Sequence, residues 1–419
     1  MKFKTVLILT WLLSVAGAWA QEKKVITGKV TDKISGEALP SVNVFLANTT
    51  MGTSSGADGS FILQNIPNGK YDLIASSVGY KPYFLSVDLS GSENGYTKEV
   101  KVNIVLEPEV KELSEITVRA DSTNWARHFS DFKRHFIGRT KLSKKCKILN
   151  PKVLHFYLDP RDGVLVAHAK KPLEILNEDL GYKINYYLYQ FEYEMRTGKL
   201  MVFGVPLFEE LPAASEKVKL NRERERKKAY NGSIIHFMRS LARNQLKDAG
   251  FRMTKIYTIP NRNRLPDDVI EKKIKQLNPN GGPVMISFYD SPKDSLSYYY
   301  RMRSEPKEKD SISATSLTGQ EFWNEKTEQF ESINGRYKVT FNEPEEKEYL
   351  AITGKKRTKN QESYFIFSLP NLKIYPNGYY EDVQTLIVTG YLSWHEKMAT
   401  LLPGEYEPAP EGEKSADKQ

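Results

Sequence analysis

Gly36-Glu37-Ala38-Leu39-Pro40-Ser41-Val42-Asn43-Val44, then Ala57-Asp58-Gly59-Ser60-Phe61 and Ile66-Pro67-Asn68-Gly69-Lys70-Tyr71, is the stretch on which the reading of the fold turns. Short β-type runs alternate here with turn residues. Ser35-Gly36, Asp58-Gly59, Pro67-Asn68-Gly69 and Gly79 supply the Gly, Asn and Asp that tolerate the positive φ of tight turns. The spacing predicts strands at Val25 to Thr31, Val42 to Ala47, Ser60 to Leu63, Tyr71 to Ser76, Tyr83 to Asp88 and Val100 to Leu106, the pattern of an all-β sandwich. Val42, Val44 and Leu46 alternate with Asn43, Phe45 and Ala47, so both faces of that strand carry apolar residues. A strand of this kind belongs between packed layers.

With Gly28-Lys29-Val30-Thr31-Asp32 before it and Val78-Gly79-Tyr80 after it, the string resembles the carboxypeptidase regulatory-like domain. The resemblance implies a transthyretin-like sandwich of about seven strands, of the kind found at the N-termini of many outer-membrane proteins of Bacteroidetes-type bacteria. The family name records a neighbour of the domain and implies no activity. Leu106-Glu107-Pro108 and Glu112-Leu113-Ser114-Glu115-Ile116-Thr117-Val118-Arg119-Ala120 resemble the linker that leads into the plug of TonB-dependent transporters. The chain after Ala120 is too short for a plug and a large barrel, and Ser415-Ala416-Asp417-Lys418-Gln419 lacks the terminal aromatic of an outer-membrane strand.

Upstream, Met1-Lys2-Phe3-Lys4 precedes an apolar run from Thr5 to Ala18 and the small-residue site Ala18-Trp19-Ala20. This is the pattern of a secretory signal peptide cleaved between Ala20 and Gln21. The run is shorter than the roughly 20 apolar residues that span a bilayer, and no later stretch is longer, so the cleaved chain is expected to have no transmembrane helix. The formal net charge of +9 falls by two, to +7, with Lys2 and Lys4. In an exported chain that balance is poor support for a nucleic-acid partner. With 40% hydrophobic and 27% charged residues among 419, the chain reads as globular and multidomain. The single Cys146 has no intrachain partner for a disulfide.

Downstream, Trp125, Phe129, Phe132 and Phe136 form one helical stripe that starts near Asn124 and stops at Gly138, with Arg127, Asp131, Lys133 and Arg134 opposite. The stripe reads as core-facing. A basic amphipathic helix lying on a membrane or gripping a partner is the alternative, extended by Lys141, Lys144, Lys145 and Lys147. Strands are expected at Val153 to Leu158, Gly163 to Ala169, Ile184 to Glu194 and Lys199 to Phe203. In the third of these, Tyr187, Tyr189, Phe191 and Tyr193 are expected on one face. They are candidate ligand-binding residues, since aromatic rows stack on sugar rings, although such rows more often pack against a second layer. Asn221 to Lys228 reads as a solvated helix face or loop. Ser233 and Pro266 open helices, the first running towards Gly250 and the second towards Asn278. Strands resume at Val284 to Tyr289, Ser297 to Met302, Tyr337 to Phe341, Tyr349 to Thr353, Tyr364 to Leu369 and Thr385 to Tyr391, with an irregular polar crossing from Asp310 to Glu331. Trp394 to Leu402 is expected to close the domain as a helix. Phe136-Ile137-Gly138, Ile148-Leu149-Asn150-Pro151, Leu180-Gly181-Tyr182, Tyr230-Asn231-Gly232-Ser233 with His236-Phe237, and Leu401-Leu402-Pro403 resemble an uncharacterised group of exported Bacteroidetes proteins, which implies architecture and no chemistry.

A catalytic zinc needs three converging protein ligands. Of His128, His135, His155, His168, His236 and His395, only His395-Glu396 begins a zincin pattern, and Ala399 stands where the second histidine is required. Gly52-Thr53-Ser54-Ser55-Gly56 matches the serine-hydrolase elbow in letters, but it lies between two expected strands and not at a strand-to-helix turn. Cys146 with His155 as a nucleophilic pair competes with the plainer reading of a buried small hydrophobe. No cofactor motif is present.

The expected organisation is a signal peptide (1–20), the sandwich (21–108), a linker (109–121), an α+β region with antiparallel sheets in one unit or two (122–404), and a disordered tail (405–419). The expected role is a non-catalytic binding or scaffolding protein of the periplasm or outer membrane, with an envelope protein or glycan as partner. A hydrolase of peptide or polysaccharide is one alternative. An accessory of TonB-dependent transport is the other.

Overall fold

The computed structural model describes residues 23–90, 99–109, 124–286, 292–324, 329–381 and 385–409. Ala20, Gln21 and most of the expected linker lie outside these. The N-terminal part contains β1 (Lys24–Asp32), β2 (Asn43–Leu46), β3 (Gly52–Ser54), β4 (Ser60–Ile66), β5 (Lys70–Ser76), β6 (Tyr83–Asp88), β7 (Glu99–Lys101) and β8 (Ile104–Leu106). They form two four-stranded sheets: β4, β1 and β7 with β8 also on β1, facing β3-β2-β5-β6. The two inner faces meet through Ile26, Val30, Val44, Leu46, Phe61 and Leu73. β1 changes partner from β7 to β8 near Gly28, where a Cβ would sit 1.7 Å from the Val102 carbonyl oxygen. Only glycine permits that approach.

A helix, α1 (Trp125–Phe136), opens the second part and lies on an antiparallel sheet of β9 (Cys146–Ile148), β10 (Leu154–Asp159), β11 (Val164–Ala169), β12 (Leu173–Asn177), β13 (Tyr182–Glu194) and β14 (Leu200–Glu210). β13 is the spine. β14 follows one of its edges along nearly the whole length, while β12 and β11 share the other. The stripe on α1 packs as its spacing predicts: Phe132 and Phe136 are buried, and Trp125 and Phe129 lie against the same core. Two helices follow, α2 (Glu216–Tyr230) and α3 (Ile234–Ala242), each N-capped by a serine whose hydroxyl accepts a backbone N–H.

The third sheet is built from β15 (Phe251–Pro260), then α4 (Asp267–Leu277) and α5 (Leu296–Ser304), β16 (Glu308–Leu317), β17 (Trp323–Asn324), β18 (Gln329–Phe341), α6 (Lys347–Thr353), β19 (Gln361–Ile374), β20 (Leu386–Gly390) and α7 (Tyr391–His395). Its order is β16-β15-β18-β19-β20, with β17 on β18, all antiparallel. α3 covers one face through Phe237, Met238 and Leu241. The architecture is thus an all-β N-terminal part followed by an α+β region with antiparallel sheets.

Several local expectations give way to packing. Ser297 to Met302 is helix and not strand, because Ser295 caps α5 and Tyr299 must reach Ile270 and Ile274 of α4. Tyr349 to Thr353 lies in α6, which places Tyr349 against Tyr391 and Trp394 and ends at Gly354 with φ 64°. The polar crossing from Asp310 begins as the edge strand β16, up to Leu317, whose exposed, hydroxyl-rich sequence hides its alternation, and continues through a short turn into β17. At Val284 to Tyr289, residues 284–286 form no strand and the rest lie outside the described residues. The closing helix ends at His395. Beyond it the chain extends so that Met398 and Ala399 donate N–H groups to the carbonyls of Phe136 and Ile137, and Asn177 Nδ2 donates to the Ala399 carbonyl at 2.9 Å. The expected tail also starts as packed structure. The Arg239 guanidinium, buried, donates to the carbonyls of Asn377, Gly404 and Tyr406, and Glu407 pairs with Arg243.

The sandwich is fixed to this body. Phe45 and Ile74, on the outer face of β2 and β5, are fully buried beneath Tyr187 and Val205, and Phe45 stacks on Tyr187 at 5.1 Å. The turn after β2 joins the edge of β14: Asn48 N–H donates to the Pro206 carbonyl, and Phe208 N–H to that of Thr49, both at 2.9 Å. Lys70 pairs with Glu381, and Tyr379 donates its hydroxyl proton to Asp72 at 3.0 Å. Phe45→Ala is expected to cost about 3–5 kcal/mol in urea unfolding and to expose the sandwich joint to protease. Val78→Ala, at a side chain 90% exposed, should change stability by less than about 0.5 kcal/mol.

Candidate functional site

The aromatic row on β13 does not stay on one face. Pairing with β14 runs one for one from Tyr182 opposite Glu210 to Leu188 opposite Gly204, then jumps to Gln190 opposite Phe203. Tyr189 is the extra residue of a β-bulge, and an extra residue inverts the alternation that follows. Before the bulge, Tyr186 and Leu188 face the α1 core while Tyr187 faces the sandwich; after it, Phe191 and Tyr193 face the core. The expected shared face is therefore split. Phe191 is fully buried at 4.6 Å from Phe132, and Tyr193 stacks on His135 at 3.8 Å. Tyr187 is committed to the joint. Gly204 makes the bulge possible, since a Cβ there would lie 2.4 Å from the Tyr186 ring.

Tyr189, half-buried and packed against the joint, borders an exposed rim. Its ring meets Phe84 of the sandwich edge-on at 5.4 Å and Phe203 of β14 at 5.6 Å. Phe84, Met201 and Phe203 are 45%, 41% and 37% exposed. Gln190 and Glu192 stand opposite Phe203 and Met201 in register, so they share that face, and Gln190 Nε2 donates to Glu192 Oε1 at 3.0 Å. Burial pushes the Tyr189 hydroxyl up, and its oxygen has no partner among the described residues. The rim thus combines exposed rings with planar hydrogen-bonding groups, contributed by both parts of the chain. Sequence alternation pointed to Tyr189 but missed Phe84 and Phe203, because nothing local links residues that far apart.

Two cavities flank the closing segment. One, of about 310 Å³, is lined by His135, Tyr186, Glu396 and Lys397 among others. Burial pushes the Glu396 carboxyl up to about 7 and the Lys397 ammonium down to about 8. Glu396 accepts the Ile234 N–H at 2.7 Å, so it satisfies the first turn of α3. Burial, reinforced by Arg139 and Lys397, lowers His135 to about 4.

The second cavity, of about 200 Å³, gathers Thr140, Glu225, Glu343, Glu346, Tyr391 and His395 from four separate segments. The Tyr391 hydroxyl donates to Glu346 Oε1 at 3.1 Å, and His395 Nε2 lies 3.5 Å from the same oxygen. Burial raises Glu346 and lowers His395 to about 4.

The remaining sequence candidates are kept apart. His395 points to Glu346 while Glu396 turns to Ile234, so the two do not share a metal. His155 and His168 are cross-strand partners on the face of β10 and β11 away from the core. Cys146 lies in that core, where burial pushes its thiol up to about 12, so the sheet separates it from His155. No group of three or more His, Cys, Asp or Glu side chains among the described residues is placed to hold a metal ion. Gly52 to Ser54 is strand β3, and the chain runs from it through a turn into β4 with no helix. No helix among the described residues is long and apolar enough to cross a membrane.

These features define a two-part protein: a small β-sandwich carried on an α+β body, with one exposed rim at the joint and two cavities behind it. The sandwich is a CarboxypepD_reg-like domain, whose family model matches residues 26–118. Curated protein sequences give no match. Among solved structures, a candidate membrane-associated protein of unknown function from Bacteroides fragilis aligns over 88% of this chain and 95% of its own, at 11% identity and a TM-score of 0.17. A candidate carbohydrate binding protein from Bacteroides uniformis aligns over 45% of this chain and 79% of its own, at 11% identity and a TM-score of 0.16. The group B streptococcus pilus 2b backbone protein aligns over 21% of this chain, at 19% identity and a TM-score of 0.18, and the chain spans 42% of its length. Scores this low carry no functional argument.

Three histidines withdrawn from solvent, His395 fully and His135 and His236 in part, set a pH dependence. His135, His236 and His395 are each lowered from 6.5 to about 4, with burial the main cause. Their stabilising contribution is present above pH 6.5 and is lost as pH falls towards 4, because the unfolded chain binds protons that the folded chain refuses. Glu396, raised to about 7, acts in the opposite sense: its contribution is present below about 4.5 and is lost as pH rises through 7. His155 and His168 are lowered too, while Glu346 and Asp72 are raised; the histidines are the larger set, so the melting temperature should drop between pH 6.5 and 4.5. His236→Gln combined with His395→Gln should flatten that slope; an unchanged slope would show that these rings are not what titrates.

Proposed function

We propose that this chain is a non-catalytic binding protein of the cell envelope, and that it holds a glycan on the rim formed by Phe84, Tyr189 and Phe203. The observation that supports this reading is the convergence of exposed rings from the sandwich and the body, with Gln190 and Glu192 on the same face. Large exposed apolar side chains gathered in one place mark interaction surfaces. The C–H face of a sugar ring stacks on an aromatic face, while amide and carboxylate groups meet its hydroxyls. The signal-peptide pattern at residues 1–20 supports an envelope address, where polysaccharide is abundant.

A second reading, a hydrolase, is favoured by one observation: a histidine beside a carboxylate, His395 with Glu346, in a cavity that also contains Glu343. The 3.5 Å separation and the depressed His395 give it weaker support than the rim gives binding.

The experiment is affinity electrophoresis of the full mature chain in gels containing envelope and plant polysaccharides, with turnover of the same polymers followed in parallel. Retardation by at least one polymer, reduced about tenfold or more in Phe84→Ala and Phe203→Ala at unchanged melting temperature, is expected. Retardation that is indifferent to both substitutions, or release of reducing ends by the wild-type chain, overturns the reading.

A further inference from the structure

We propose that His155 of β10 and His168 of β11 form a two-imidazole site for a divalent transition metal ion of the zinc class. The argument starts from register. The two residues are direct cross-strand partners in an antiparallel pair, a position that roots two side chains on one face with Cβ atoms about 4.5–5.5 Å apart. Their chain neighbours Leu154, Phe156 and Ala167 enter the α1 core, so both imidazoles stand on the opposite side of the sheet. A zinc–imidazole bond of about 2.0–2.1 Å sets two nitrogens on one ion no more than about 4 Å apart. Rings rooted this close reach that spacing by rotation about χ1 and χ2, and both are partly exposed.

The rings are also chemically available. Neither imidazole makes a hydrogen bond, ion pair or ring contact with the described residues, and no nitrogen of either is buried without a partner, so the nitrogens reach solvent. Burial lowers both rings below the ordinary histidine value, and the charge of Lys170 acts on each in the same sense. At neutral pH both therefore carry the lone pair that a metal needs. His168 also acts on His155, as two rings sharing one patch must. Lys170 opposes a cation there, but it is exposed, so solvent screens it. The Glu109 carboxylate acts on His168 in the opposite sense and offsets it. No third ligand is already placed among the described residues, so water completes the coordination shell. Two neutral nitrogen donors select zinc, copper or nickel, whereas magnesium and calcium require oxygen.

The experiment is isothermal titration of the full mature chain, free of any affinity tag, with zinc chloride at pH 7.5 and with magnesium chloride as the control. Binding of one zinc ion per chain is expected, with no response to magnesium. His155→Gln and His168→Gln should each weaken zinc by about tenfold or more, since even the loss of a group behind a metal ligand costs that much. The double variant should bind hardly more weakly than either single one, because one chelate is lost in all three. Unchanged melting temperatures without metal are checked first. If a variant fails to fold, zinc-edge anomalous density in crystals of the wild-type chain decides, with a peak between the two rings expected. No binding at millimolar zinc, fully additive losses, zinc retained by the double variant, or a peak elsewhere overturns the proposal. Zinc is titrated without glycan and the rim variants leave it unchanged, so the two sites succeed or fail separately.

Discussion

The structure depends on a sheet that is apolar on both faces. Within β2, Val44 and Leu46 turn into the sandwich while Phe45 turns out of it, and β5 repeats the arrangement with Leu73 and Ile74. Left to itself, a sandwich with Phe45 and Ile74 on its surface would present an aggregation-prone patch. The body removes it by placing Tyr187 and Val205 over those two side chains, and the turn at Asn48 and Thr49 bonds to β14 at the same time. One contact thus covers an apolar face and part of a sheet edge. It also fixes how far the rest of β13 and β14 projects past the sandwich, and so where the rim lies.

The Tyr189 bulge reconciles two demands on β13. The strand has to feed the α1 core along its whole length and also offer a ring to the sandwich. A regular strand of this sequence would put Tyr187, Tyr189, Phe191 and Tyr193 on one side, starving the core of Phe191 or the joint of Tyr187. One extra residue lets Tyr187 face out and Phe191 face in, and Gly204 opposite supplies the space. Bulges beside functional surfaces commonly re-aim a side chain in this way.

What was legible in the sequence follows the range of the interactions involved. The sandwich could be read because its turns are fixed by local backbone needs at Gly36, Gly59, Gly69 and Gly79, all of which have positive φ. Phe45 announced a covering layer by breaking a clean alternation. The α1 stripe was equally plain. α5 and α6 were misread because Tyr298 to Tyr300 and Tyr349 to Thr353 have β-type composition, and what makes them helical is distant packing and a cap. The bulge cannot be seen in β13 alone, since it exists only relative to β14. The cavity around His395 was invisible for the same reason: its lining comes from stretches that nothing short-range relates.

The closing segment has a consequence for how the chain acquires its fold. The α1 core includes Met398, Ala399 and Leu402, and the bonds that seat them reach 222 residues back to Asn177. Glu405 accepts from the Thr50 N–H across 355 residues. Contacts of such span form slowly, because a long loop must close before they repay its entropy. A chain delivered N-terminus first can complete its sandwich early but not the body beneath it. The central core is complete only once Met398, Ala399 and Leu402 are in place.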